Sequence, residues 1–459
     1  MKNKLTELIF YNTFTILLLI GFPLFAAAQT EISDWNDLND IRNDLAGDYI
    51  LMNDIDEDTN GFTNYNSGDG FAPIGSAAQP FTGSLDGNGF VVVGLFINRE
   101  GGVIGLFADL NNAVISDLGL VDANVQATGN AVGILAGRTL GTTTITNVYS
   151  SGSVGTSGGF LLGGLTGQLN DQAAIVECWS SATVTGGATN NVGGLVGTQR
   201  LEAQILHSYA AGNVFSEGRH VGGLVGHNQL NATIVNSYAQ GNATGDDNVG
   251  GLVGNSDGGA IQYTYSTGSV TGNSNVGGLI GNNPENVVVS SYWDMESSGQ
   301  SEGIGGEASV LEGVTSLVTA EMIGEAAKDN MNEFDFDETW IVVEDSYPGL
   351  FWEVEGVSTS TEPLQEDDNF NPSQYQLSQN YPNPFNPKTM IRYELVEPVN
   401  VTLEVYSLLG KHVATLVDSR QSAGYHEVSF NADQLSSGVY IYRIQAGNYF
   451  DQRLMTLVK

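Results

Sequence analysis

Apolar positions between residues 103 and 281 fall into a phrase that repeats at a fixed interval. Asn191 to Gly197 reads NVGGLVG, and the phrase returns as HVGGLVG from His220, NVGGLVG from Asn248 and NVGGLIG from Asn275. Looser versions precede it: VIGLFA from Val103, VGILAG from Val132 and LGGLTG from Leu162. The phrases begin at 103, 132, 162, 192, 221, 249 and 276, so the steps are 29, 30, 30, 29, 28 and 27 residues. Such regularity is a structural period. A second phrase follows about thirteen residues later: ITNVYSSGSV from Ile145, IVECWSSATV from Ile175, ILHSYAAGNV from Ile205, IVNSYAQGNA from Ile234 and IQYTYSTGSV from Ile261.

Each unit therefore reads as strand, turn, strand, turn and short strand, with β-branched and aromatic runs separated by Gly, Asn and Ser clusters. A unit of this length cannot enclose a core alone, so it must stack on its neighbours and bury continuous columns of Val, Ile, Leu and Tyr. The predicted fold is all-β: a parallel β-helix with coils of about 29 residues. The paired glycines imply a bend or a close backbone approach. Alternation alone does not decide whether Val192 and Leu195 both point inward. Asn191, Asn248 and Asn275, with His220 between them, share one position, where a left-handed turn and a side-chain ladder are expected. His220 and His227 are seven residues apart, or ~23 Å along an extended strand, and cannot share one metal unless the chain folds back. They read as turn residues and not as ligands of one metal.

The flanks have other patterns. In SDWNDLNDIRNDLAG from Ser33, Trp35, Leu38, Ile41 and Leu45 keep helical spacing, Asp34 and Asp37 stand near the start and Gly47 follows the end. This predicts a short amphipathic helix, then a strand at DYILMNDI, as the atypical unit that covers the first open sheet edge. After the repeats, Trp293, Trp340 and Trp352 are expected to close the far end; in an exposed groove they would instead stack on sugar rings. Residues 356–374 are polar and acidic and read as a linker. Beyond the prolines of NYPNPFNPKT from Asn380, alternating runs begin at Met390, Val401, His412, His426, Val439 and Asp451. They predict a small antiparallel β-sandwich over 375–459.

Composition adds destination. Lys2 and Lys4, an apolar run from Ile16 to Phe25 and Ala26-Ala27-Ala28 read as a secretory signal peptide over 1–28. That run is too short to span a membrane, and no other stretch approaches the needed length. Cys178 is the one cysteine, so no internal disulfide can form; it stands where other units carry Val148, Ser208, Ser237 and Thr264, and reads as a packed residue. Residues 29–374 hold 6 Lys/Arg against 44 Asp/Glu, whereas 375–459 hold 7 of each. So acidic a front part repels phosphate backbones and anionic lipid, which excludes nucleic acid as a partner and favours divalent cations or neutral glycans.

Asp56-Glu57-Asp58-Thr59-Asn60-Gly61 has the first half of a calcium loop, with oxygen ligands on Asp56, Asp58 and Asn60 before a turning glycine. Its twelfth position is Ser67, where a bidentate Glu is needed. Ca2+ is the one cofactor the residues suggest, against an ordinary acidic turn. For catalysis, His426-Glu427 fails as a zinc motif because Phe430 replaces the second His. Asp246, Asp247, Glu217 and Arg219, on equivalent loops of adjacent coils, form the best cluster of acids with a base, and read equally as solvated turn charges.

The repeats resemble the GLUG family, whose Gly-Leu-hydrophobic-Gly motif is matched at Gly194–Gly197, Gly223–Gly226, Gly251–Gly254 and Gly278–Gly281. The segment Phe71 to Asn98 resembles the usual lead-in. The resemblance covers about Ile32 to Trp352 and implies a right-handed, pectin-lyase-like β-helix that serves as a scaffold. The C-terminal stretch resembles the type A sorting domain of the type IX secretion system, through NYPNPFNP from Asn380, YSLLG from Tyr406, Ser437 to Tyr440 with Tyr442, and Met455 to Lys459. That resemblance implies an Ig-like sandwich, passage across both membranes of a Gram-negative-type cell, recognition of 375–459 by the type IX machinery, and attachment to surface lipopolysaccharide or release.

The expected organisation is a signal peptide over 1–28, an N-terminal cap and lead-in coils over 29–102, GLUG coils over 103–290, a C-terminal cap over 291–355, a linker over 356–374 and a sorting domain over 375–459. The expected function is a cell-surface or released, adhesin-like, non-catalytic scaffold that binds glycan or another surface ligand. The alternative is a polysaccharide-active lyase or hydrolase on the same β-helix.

Overall fold

A chain that must turn repeatedly without helices needs cheap corners, and this one makes them with single residues in the left-handed region. The computed structural model describes residues 29–354 apart from 285–286 and 307–312, and residues 375–457 apart from 378–379, 381–387, 397, 408–410, 422–423, 433–434, 436–437 and 448. The signal-peptide segment, the linker and the proline-rich lead-in to the sorting domain lie outside the described residues. One corner of each coil falls at Asp117, Asn147, Glu177, His207, Asn236, Tyr263 and Ser290, all with φ between 42° and 54°. A second falls at Asn191, His220, Asn248 and Asn275, with φ from 50° to 59°. These are the positions where Asn was expected to turn the chain.

Between corners the chain runs as short parallel strands. The coil that starts at Val192 has Val192–Gly193, Val196–Arg200, Gln204–Leu206, Tyr209–Ala210 and Val214–Ser216. Like strands of successive coils pair in register, so that Val192 faces Val221 and Ile205 faces Ile234. Two sheets of seven strands and one of 22 result. Val192 and Leu195 are both fully buried, as are Ile145, Ile175, Ile205, Ile234 and Ile261. Each buried aliphatic side chain contributes about 1.5–3 kcal/mol, and the columns make one core with no break from coil to coil.

The glycines of the repeated phrase serve space. None of Gly193, Gly194 and Gly197 has a positive φ. A Cβ on Gly193 would lie 2.1 Å from the Val196 carbonyl oxygen, one on Gly194 2.1 Å from that of Gly223, and one on Gly197 2.6 Å from the Leu162 nitrogen. The same contacts recur at 2.0 Å for Gly222 against Val225 and for Gly250 against Val253. Two backbone segments press together at this corner, and only hydrogen fits between them.

Helix is confined to the flanks. Asp34 caps the predicted helix, accepting from the amides of Asn36 at 2.8 Å and Asp37 at 3.0 Å. The helix spans Trp35–Asp40 and continues as a 3-10 turn over Ile41–Asn43, ending before Gly47. Trp35, Leu38 and Ile41 enter the solenoid core. Thr30–Ile32 pairs with Asp48–Leu51, which pairs with Ser84–Asp86 and so joins the long sheet.

The chain divides into two compact units: one runs to Met322 and includes Asp329–Phe334, the other is Ile323–Lys328 with Asp335–Lys459. In the second, all six predicted strands are present, with a seventh at Gln376–Leu377. They form an antiparallel three-stranded sheet and an antiparallel four-stranded sheet. Ile391, Tyr393 and Phe430 from the first share a core with Leu403, Val405, Tyr442 and Ile444 from the second.

The close approach makes a paired prediction. Gly222→Ala should destabilise the solenoid by about 2 kcal/mol or more, through overpacking against backbone that cannot yield. Gly158→Ala, where no atom lies within 4 Å of the added methyl, should be near neutral. Chemical denaturation of both variants checks this; equal stabilities would refute the steric role.

Candidate functional site

The residues with chemical potential gather at the coil corners, and the geometry shows what each of them does. His220 occupies a left-handed corner and His227 lies on the strand Val225–Gln229. Their rings are 4.8 Å apart, centroid to centroid, at 61°. The extended separation of ~23 Å is thus overturned, because Gly222 and Gly223 let the chain double back between them. The ring of His220 bonds through Nδ1 to Asn191 Oδ1 at 2.7 Å. Asn255 Nδ2 lies 2.9 Å from His227 Nε2, and Asp257 Oδ2 lies 3.6 Å from it. The pair is therefore engaged with neighbouring coils. Burial first, then the charges of His227 and Arg219, depress the His220 pKa to about 4.

The acid cluster is only partly assembled. Arg219 Nε lies 3.4 Å from Asp247 Oδ2 in adjacent coils. The other Asp247 oxygen accepts Ser274 Oγ at 2.6 Å and Asn275 Nδ2 at 3.0 Å, and Asp246 accepts Asn273 Nδ2 at 2.8 Å. Glu217 is exposed on the corner beside them. The Asp246 and Asp247 carboxylates hold one coil to the next.

The calcium candidates lie in a turn that serves the helix. Asp56 Oδ1 accepts the Asp58 amide at 3.0 Å, the Asp56 carbonyl accepts Trp35 Nε1 at 2.8 Å, and the Asn60 carbonyl accepts the Trp35 amide at 3.0 Å. Among the described residues, no group of three or more His, Cys, Asp or Glu is arranged to hold a metal ion.

Cys178 is fully buried, and burial pushes its thiol up to about 12. Its column explains it. The Cys178 amide donates to Ser208 Oγ at 3.1 Å and the Ser208 amide to Ser237 Oγ at 3.2 Å. The side chains of Cys178, Ser208, Ser237 and Ser291, each following a left-handed corner, thus satisfy an amide of the preceding coil. Trp293 and Trp340 are buried as well, with Trp293 Nε1 bonded to the Gln300 carbonyl at 3.1 Å. His426 stacks on Tyr393 at 5.2 Å, on the strand Gly424–Asn431.

The sequence reading placed Tyr in the columns but missed two features, the face-to-face stacking of the rings and a buried polar ladder. Tyr149, Trp179, Tyr209, Tyr238 and Tyr265 form a column of rings 4.6–5.8 Å apart and within 4° of parallel. The aromatic of each second phrase was the available signal. Gln199 Nε2 bonds Asn228 Oδ1 at 2.8 Å, and Asn228 Nδ2 bonds Ser256 Oγ at 3.2 Å, all three fully buried.

Fold and motifs together define a parallel β-solenoid of GLUG coils joined to a sorting domain. Family models match the GLUG motif over 217–244 and the "Secretion system C-terminal sorting domain" over 379–456. The chain is a β-helical protein of the type IX secretion route, exported to the cell surface or the medium. It is 33% identical over 323 residues to halomucin of Haloquadratum walsbyi, a match that covers 70% of this chain and 3% of that protein. It is 37% identical over 112 residues to a protein described as a Gly-rich membrane protein of Evansella cellulosilytica, covering 23% of this chain and 12% of that one. A solved structure titled IgA1 Protease is similar at 18% identity and a TM-score of 0.39, over 56% of this chain and 20% of its own length. Among the described residues, no helix is long and apolar enough to cross a membrane.

The depressed His220 pKa sets a pH dependence. The unfolded His titrates near 6.5 and the folded one near 4, so the unfolded state binds the proton first and stability falls as pH drops from about 6.5 to about 4. His220→Asn, which restores the residue of the neighbouring coils, should reduce that slope. Thermal melts of both forms across pH 4–7 test it; identical slopes would contradict the assignment.

Proposed function

We propose that the solenoid is a displayed, non-catalytic and adhesin-like scaffold that binds glycan or another surface ligand along its coils. One observation carries this reading. The residues capable of chemistry, among them His220, Asp246, Asp247 and Cys178, are engaged through their side chains in coil-to-coil bonds, while the outward positions of the last strand in each coil are uncharged. A lyase or hydrolase needs free convergent carboxylates, and Asp246 and Asp247 of the best cluster are tied to the next coil. A glycan array combined with a reducing-end assay on the purified chain separates the two readings: binding without new reducing ends supports the scaffold, and new reducing ends refute it.

The finer architecture belongs to the same proposal. Right-handed winding follows the strong preference of parallel crossovers, and an Ig-like arrangement fits two antiparallel sheets over one core. A terminal cap over 291–355 is supported at its start by Phe334, packed edge-on against Tyr292 at 5.3 Å. Calcium at Asp56, Asp58 and Asn60 is proposed from their spacing; a calcium-dependent rise in Tm that Asp56→Ala cancels would support it, and an unchanged melt would remove it.

Export depends on the C-terminal domain. Deleting 375–459 should leave the solenoid folded, because its core is separate, and should trap it in the periplasm. Fractionation of a host with working type IX machinery checks this, and surface display of the truncated chain would defeat it.

A further inference from the structure

The last strand segment of several coils alternates buried and exposed residues, as in Thr183–Gly186 and Val214–Ser216, whereas Gly155 is buried beneath the Gln126 side chain. The outward side chains of this segment therefore stack into two columns on one sheet face. Registered pairing places Gln126, Gly155, Thr185, Phe215, Thr244 and Thr271 in one of them. The other includes Thr183, Asn213 and Asn242. From Asn124 and Gln126 to Ser269 and Thr271, neither column contains an Asp, Glu, Lys, Arg or His. This is a charge-free face on a region with 44 acidic side chains against 6 basic ones, and Asp122, Glu217 and Asp246 stand within two residues of its columns.

Phe215 breaks the polar pattern of this face. It is 44% exposed, and among the described residues it meets no other ring. Its neighbours above and below are Thr185 and Thr244, which are small. The parallel column of Tyr149, Trp179, Tyr209, Tyr238 and Tyr265 differs in a decisive way. There each ring covers its neighbour's face, leaving only edges for a ligand. The asparagines beside Phe215 are polarised by the fold. Asn213 Oδ1 accepts the Asn242 amide at 3.0 Å, and Asn242 Oδ1 accepts the Ser269 amide at 2.9 Å. Their acceptor ends are occupied, and among the described residues nothing accepts from their Nδ2 donors, which leaves them for a partner.

An exposed ring, flanked by hydroxyls and amide donors that recur every ~4.8 Å, suits a hydroxyl-rich chain with apolar C–H faces. The margin of carboxylates repels polyanions and equally repels a second copy of this acidic chain. We infer that this face, centred on Phe215, binds an uncharged polysaccharide lying along the coils. The inference rests on the scaffold reading above and names its ligand class.

The test uses the full-length chain and its variants in affinity electrophoresis through gels of dextran, galactomannan or hydroxyethylcellulose, with polygalacturonate as the anionic comparator. Phe215→Thr continues the threonine column and preserves the fold. Thr185→Asp with Thr244→Asp adds charge beside the ring. The wild type should be retarded by an uncharged polysaccharide and not by polygalacturonate. Phe215→Thr should weaken that binding about tenfold, and the double aspartate variant should abolish it, with melting curves confirming that both stay folded. Retardation that survives both variants would overturn this face while leaving the scaffold reading in place. Equal retardation by polygalacturonate would overturn the charge argument. No retardation by any uncharged polysaccharide would overturn the proposal, and the glycan array would then decide the scaffold reading separately.

Discussion

Backbone pressed against backbone at the two-glycine corner is the contact on which the rest of the solenoid depends. Gly193, Gly222 and Gly250 each face a carbonyl oxygen that a Cβ would meet at 2.0–2.1 Å, so the turn can be this tight only without side chains. The tightness lets the leucine between the glycines and the second valine bury fully in every coil. It also fixes where each coil turns, since a corner made by contact leaves no slack, while the coils themselves run from 27 to 30 residues. With the corners in register, like residues fall opposite like residues, and ladders of Ile, Tyr and Asn follow. The buried bonds from Gln199 to Asn228 and from Asn228 to Ser256 reinforce the register, because a slip would leave buried amides without partners.

Much of this was legible because a solenoid writes its structure as a period. Coil count, parallel stacking, the Asn corners, the helix cap at Asp34 and the strands of the C-terminal domain all followed from spacing and turn chemistry. What failed was three-dimensional. His220 and His227 were separated along an extended strand, although the glycines between them were the sign that the chain could double back. Asp246, Asp247 and Arg219 were correctly placed on adjacent coils, yet sequence could not show that Ser274, Asn273 and Asn275 engage the carboxylates. The Phe215 face was hidden for a related reason: alternation tells which side a residue takes, but only registered coils show that its neighbours form an uncharged column.

A division of labour emerges. Left-handed corners and the turns beside them carry His207, His220 and many of the acidic side chains, and much of their bonding runs to the next coil. The inward columns supply the burial. The flat outward strands are left polar, regular and largely uncharged, which is how a repeating scaffold presents one surface many times over. The sorting domain stands outside this scheme, with its own core, balanced charge and antiparallel sheets, as suits a module that directs export without taking part in the coils.

The central claim is that residues 103–281 are coils held in a fixed period by their corners. Deleting one whole period, Val221–Asn248, moves every later coil down by one and should keep cooperative unfolding and the β-sheet circular dichroism signal. Deleting the half-period Val221–Ile234 sets corners against strands and should abolish cooperative unfolding. If both deletions unfold alike, with similar midpoints, the coil-by-coil account is wrong.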